Sequence, residues 1–324
     1  MSKIQLILAS ITALLCKSGF AHEQWLLTAS EIEQLKKMPP PSLFTQLTSV
    51  NMALSGLALI CLTAWVIFNY RYPKPYKKGF PNTLGLALLS LRFWTGLMLC
   101  LCALGLMPKI GLPYFDSPTL LAPDLLISAD LNFVRWLELI LGISFIVGFY
   151  TRLSSVLFLG LQVFAACYFG KDYFQYLGFY LAIALFLLIH GGGKYSLDKT
   201  TIQISYPALF IAQLFTGLNF IYSAISIKLF APNLDIAIIE NRNAFTFGIP
   251  VPEFVFIMLI VELLFGLCFL LGWRLPLLSS LLLGLFIFLG ISLSENLLAH
   301  SFIYGLLTLF FLLGGTPLQS RQLR

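Results

Sequence analysis

Residues 261–274 read VELLFGLCFLLGWR, and residues 137–152 read LELILGISFIVGFYTR. Each stretch sets a glutamate inside an apolar run, follows it with glycine four residues on, and closes on glycine, an aromatic and an arginine. Glu138 and Glu262 stand 124 positions apart. The same displacement pairs Gly142 with Gly266, Gly148 with Gly272, Asp172 with Asn296, Tyr176 with His300, and Tyr180 with Tyr304. Slightly earlier in each half, Thr95-Gly96 matches Thr216-Gly217, and Lys109 matches Lys228. The recurrence predicts an internal duplication of about 110 residues per copy, with four helices in each. Four passes return the chain to the side it started from. The copies are therefore parallel, related by a pseudo-two-fold axis along the membrane normal.

The setting is lipid. Hydrophobic residues make up 59% of the chain and charged ones 10%, and the mean hydropathy is +0.90. A chain this apolar cannot cover itself with polar surface. It reads as an all-α polytopic membrane protein. Its formal net charge of +6 comes from short basic clusters between apolar spans, which excludes a nucleic-acid-binding surface.

Lys3, the apolar run 4–15 and the small residues Gly19 and Ala21 form a secretory signal cut after Ala21; an uncleaved anchor is the alternative, because Lys17 falls late for a signal. Residues 22–50 form a short periplasmic segment in which Ser30 and Glu33 fit a capping box and Pro39-Pro40-Pro41 stops the helix. Spans of about 20 apolar residues then fall at 51–68, 84–106, 133–149, 153–169, 174–189, 208–227, 254–271, 275–293 and 297–313. This gives one extra transmembrane helix (51–69) and two four-helix repeats, 84–198 and 205–315, nine helices in the mature chain. Arg71, Lys74, Lys77, Lys78, Arg152, Lys194, Lys199, Arg274, Arg321 and Arg324 all fall on one side, the cytoplasmic one by the Lys/Arg rule. Nearly every acid falls on the other. The reading is a multi-pass protein of the bacterial inner membrane with a periplasmic N-terminus.

At these residues the chain resembles the DoxX family of small four-helix membrane proteins. The family's pattern of Arg, then Gly, then Gly-x-x-x-Lys is met by Arg92, Gly96, Gly105 and Lys109. Its Glu-x-x-x-Gly and Gly-x-x-x-Arg are met by Glu138, Gly142, Gly148 and Arg152, and its closing turn by HGGGKYSLD at 190–198. The second copy departs from the pattern: Gln213 replaces the arginine and GGTPLQS the closing turn. Members of the family resemble the membrane subunit of thiosulfate:quinone oxidoreductase, and others are linked to oxidative stress. The resemblance implies work near the quinone pool, with quinone as the candidate cofactor and a periplasmic or membrane redox partner beside the lipid bilayer.

A charge at bilayer depth is expensive, so Glu138 and Glu262 must face the bundle interior, be protonated, or be paired. Lys109 and Lys228 are natural partners, and Arg135 can reach Glu138 from one turn away. Asp172, Tyr176 and Tyr180, and likewise Asn296, His300 and Tyr304, share one helix face each at four-residue spacing. The two acids, the two stripes, Arg92 and the lysines make a candidate intramembrane polar pocket, with His300 the group whose ordinary titration lies nearest neutrality. The plainer reading is that each acid locks one helix to another, that the tyrosines form an interfacial belt, and that Arg92 snorkels to the inner face or pairs with another buried group. No haem or flavin signature and no metal-ligand cluster stands in the sequence. A chain cut after Ala21 would begin with His22, whose α-amine and imidazole can chelate copper; a solvated terminus is the simpler reading. The cysteines, all but Cys16 in apolar spans, read as small buried hydrophobes.

Two functions follow. One is a quinone-proximal subunit or accessory factor of a redox or oxidative-stress system. The other is a non-catalytic membrane protein that binds or transports a small molecule, or assists assembly of another complex.

Overall fold

The computed structural model describes residues 27, 29–72, 81–106, 118–123, 125–200, 203–293 and 297–316. The signal segment, His22, Lys109 and Asn296 lie outside them. The described chain is helical, and its only β-type pairing is a single bridge between Thr119 and Leu126. The helices are α1 (Ala29–Lys37), α2 (Ser42–Thr45), α3 (Ser49–Arg71), α4 (Pro81–Ala103), α5 (Asn132–Val147), α6 (Thr151–Phe169), α7 (Phe174–His190), α8 (Tyr206–Ser223), α9 (Pro232–Asn241), α10 (Val251–Leu271), α11 (Leu275–Ser292) and α12 (Ser301–Leu313).

Among the described residues, six stretches are by length and composition long and apolar enough to cross a membrane: Ser49–Arg71, Thr83–Ala103, Thr151–His190, Tyr206–Leu229, Val251–Leu271 and Leu275–Ser292. The chain is a multi-pass membrane protein. The longest of these stretches is a hairpin. Gly170 breaks it at φ 60°, and Phe158 on α6 meets Tyr180 on α7 with ring centroids 5.6 Å apart, 12 and 10 residues either side of the break. The sequence reading separates the two spans at the same place, 153–169 and 174–189, where Lys171 and Asp172 interrupt the apolar run.

Glycines set the closest helix approaches. A Cβ on Gly96 would fall 2.5 Å from the carbonyl oxygen of Gly142, and one on Gly142 would fall 2.8 Å from that of Gly96. Gly217 and Gly266 stand in the same relation, each 2.9 Å from the other's carbonyl oxygen. Backbone thus touches backbone between α4 and α5, and again between α8 and α10, as small residues allow in lipid. Gly148 and Gly272 close α5 and α10 in the left-handed region, at φ 69° and 72°.

Around the bundle α4 packs on α5, α5 on α6, α6 on α7, α7 on α8, α8 on α10, α10 on α11, α11 on α12, and α12 back on α4. The most buried faces belong to α4, α7, α8 and α12, which fill the middle. Helix α3 lies almost outside this ring. Its inner end is fastened by Arg274, whose Nε donates to Asn69 Oδ1 (3.0 Å) and whose guanidinium sits 4.3 Å from the Phe68 ring centre. On the opposite face Leu27 and Ile32 pack against Leu234 and Ile238 of α9, so the N-terminal segment lies on the helix that follows α8. The expected cap at Ser30 is displaced, because α1 already begins at Ala29; the helix ends at Lys37, ahead of the three prolines, as predicted.

Candidate functional site

Glu138 occupies the seventh position of α5, about 9 Å along it by helical rise. It is fully buried, and its Oε1 accepts the backbone N–H of Leu121 at 2.7 Å. The Leu121 carbonyl in turn accepts the hydroxyl of Tyr180. Leu121 belongs to the segment before α5 that dips into the bundle, with Leu120, Leu121 and Ala122 at 1% exposure or less. Thr119 N–H donates to Cys102 O (3.0 Å) and Leu120 N–H to Leu125 O, which turns the segment back. Leu121 itself has φ 61°, rare for a branched side chain. Behind the acid the Tyr173 hydroxyl donates to Gln162 Oε1, and the Tyr173 ring stacks on Tyr180. The second carboxyl oxygen, Oε2, is buried without a hydrogen-bond partner among the described residues. The first acid and its tyrosine stripe therefore do meet, but across a backbone segment rather than around open space.

Glu262 lies about 16 Å along α10 and is held differently. Lys228 Nζ stands 2.9 Å from Glu262 Oε1 and 3.5 Å from Asp235 Oδ2. The lysine side chain is 8% exposed, that of Asp235 16% and that of Glu262 24%. What aims the lysine is a π-helical turn, Ala224–Leu229, that continues α8 with one residue more per turn than an α-helix allows. Pro232 then starts α9, whose first turn carries Asp235. Two carboxylates and one ammonium leave an excess of one negative charge if all three are ionised.

The remaining expected site residues divide. His300, on the turn Leu297–His300, is 4% exposed with its ring 5.3 Å from Phe286 on α11. Tyr304 meets Trp94 edge-on at 5.7 Å, and Tyr176 packs on Phe302 at 6.2 Å. Both tyrosines are buried, so neither forms the interfacial belt of the plainer reading. Asp172 lies in the turn Gly170–Tyr173 and its backbone carbonyl accepts Gln175 Nε2 at 3.3 Å.

Two basic residues serve the scaffold. Arg92 neither snorkels nor reaches Glu138: fully buried, it donates from Nη1 to Phe145 O (2.7 Å) and from Nη2 to Tyr195 O (2.7 Å). It satisfies the carbonyls left open where α5 ends and ties them to the closing turn. Gln213 does this in the second half, donating to Leu270 O and accepting the Thr316 N–H at 2.9 Å. Arg135 turns from Glu138 and donates to Ala103 O at 2.7 Å. His190 is likewise structural, its Nδ1 bonded to Phe186 O and its Nε2 accepting the Ser205 N–H, both at 3.0 Å.

Asp235 and the Leu121 segment were missed in the sequence. Asp235 had a signal: it stands seven residues after a lysine at membrane depth, with a helix-starting proline between. Leu121 had none. The closing-turn aspartate Asp198 was also passed over, although its two oxygens accept the N–H groups of Tyr150 (2.8 Å) and Thr151 (2.7 Å) at the start of α6.

No curated protein and no solved structure matches the chain. Residues 109–206 match the model of the family described as TQO small subunit DoxD. The match takes in Glu138, Leu121, Tyr180 and the closing turn, and stops where α8 begins. The match is consistent with the resemblance to the DoxX family over residues 109–206.

Proposed function

We infer that the protein is a DoxX-like inner-membrane protein, N-terminus periplasmic, working as a quinone-proximal subunit or accessory factor of a redox or oxidative-stress system. Its two halves are read as copies of one bundle; the paired contacts Gly96–Gly142 and Gly217–Gly266 support this. The observation that carries the functional reading is Lys228, held between Glu262 and Asp235 at membrane depth. A paired charge in lipid has to be built, and the ammonium with the second carboxyl oxygen of Glu262, buried without a hydrogen-bond partner among the described residues, offers the polar head of an amphipathic molecule both a donor and an acceptor. The matching family, the TQO small subunit DoxD, supports a place near the quinone pool.

Organic extraction of the purified protein tests this. Quinone should be present in stoichiometric amount and be lost in Glu262→Gln and His300→Ala. A quinone-free preparation, with both variants folded, removes the proposal.

One observation favours the second reading, a non-catalytic protein that binds or moves a small molecule or assists assembly. The first acid is committed to backbone, as a purely architectural residue would be. Under that reading the same variants leave redox phenotypes unchanged.

A further inference from the structure

A connecting segment ordinarily runs over the surface, because its backbone groups need water. Residues 118–123 and 125–127 do the opposite. Their tip enters the bundle, and both backbone polar atoms of Leu121 are taken by side chains, the N–H by Glu138 and the carbonyl by Tyr180. The grip is on a residue at φ 61°, a conformation leucine rarely adopts without compensation. The matching stretch of the second half is not seated this way. Phe245 and Phe247 are 60% and 63% exposed, and the Phe245 N–H goes to the Ser292 hydroxyl. Glu138 accepts a backbone N–H from this segment, whereas Glu262 is met by the Lys228 side chain, and Glu138 Oε2 stays buried without a hydrogen-bond partner among the described residues.

The geometry points to residues 118–123 and 125–127 being a plug. It occupies a binding site, separate from the Lys228–Glu262 pair, whose recognition groups are the Glu138 carboxyl and the Tyr180 hydroxyl. The Ala122 N–H donates to Leu120 O at 2.7 Å, which makes Leu121 the central residue of a three-residue turn whose own N–H and C=O point outward in opposite senses. The ligand class that replaces Leu121 is therefore a small uncharged molecule with a secondary-amide pair, N–H toward the acid and carbonyl toward the tyrosine. The two stacked rings of Tyr173 and Tyr180 and the ring of Phe158 supply the apolar wall.

The test uses the full chain in detergent micelles and dicyclohexylcarbodiimide, an apolar reagent for carboxyl groups. Labelling of Glu138 is read by peptide mass spectrometry, with Glu262 labelling as the reference. Glu138 should stay protected in the native protein. In Leu121→Pro, which lacks the N–H and cannot take φ 61°, its labelling should rise about tenfold, the factor a lost charge-type hydrogen bond implies. N-hexylacetamide should restore protection in that variant, and N-hexyl-N-methylacetamide, with no N–H, should not. Tyr180→Phe, which removes one oxygen and keeps the fold, should raise labelling several-fold and weaken protection by the secondary amide. Equal labelling of Glu138 in all three chains overturns the plug. Exposure in the variants with no preference between the two amides overturns the site and leaves a structural anchor. Either result is independent of quinone binding, which is read at Glu262.

Discussion

Take the ammonium from Lys228 and two carboxyl groups are left facing each other at membrane depth. Lys228→Met should therefore destabilise the protein by about 3–5 kcal/mol, the cost of breaking a buried pair from one side. The double variant Lys228→Met/Glu262→Leu should recover part of the loss, since removing both partners is often neutral. Thermal unfolding in detergent reads both. Glu138 calls for a different pair. Glu138→Gln keeps an acceptor for Leu121 and should cost less than about 1 kcal/mol, whereas Glu138→Leu strands that N–H and should cost about 1–3 kcal/mol. A loss at Glu138→Leu as large as that of Lys228→Met would mean that the loop tip carries more of the bundle than its two bonds account for.

At the scale of helices, the glycine contacts are the most exacting feature. Gly142→Ala and Gly266→Ala each push a methyl into a backbone oxygen less than 3.0 Å away. Each should lower stability by about 1–3 kcal/mol, and by similar amounts, because the two contacts are built alike. Unequal losses, with one near zero, would show that one helix pair can slide apart. These glycines were legible in the sequence because their spacing from the acids repeats, and helix ends were legible from Gly148 and Gly272. The π turn at Ala224–Leu229 was not. Its residues, AISIKL, are as apolar as their neighbours, and only the direction in which Lys228 must point distinguishes one register from another. The seated loop was hidden for a related reason. Leucine at φ 61° has no compositional mark, and its anchors come from residues 17 and 59 positions away. Arg92 does not snorkel to the inner face, because three backbone carbonyls accept its guanidinium inside the bundle, and nothing in the sequence marks which carbonyls a helix end leaves open.

For the whole molecule, Arg274 bonds the end of α3, so the turn after α10 and the first span's exit share one membrane face. In the proposed orientation, which follows the Lys/Arg rule, that face is cytoplasmic. A cysteine introduced at Arg274 should resist an impermeant maleimide in intact cells, while one at Phe247 should react. Labelling of the first from outside would invert the topology and with it the periplasmic approach to both acids.

The order of packing around the ring carries a further consequence. The opening helix of the first half, α4, rests on the final helix, α12, and α7 rests on α8. During synthesis α4 must wait in the bilayer until the last span has left the ribosome, presenting to lipid the face that α12 will cover. A nascent chain halted near residue 200 would be a docking platform, not a finished module, and two separately translated fragments should find one another and co-purify.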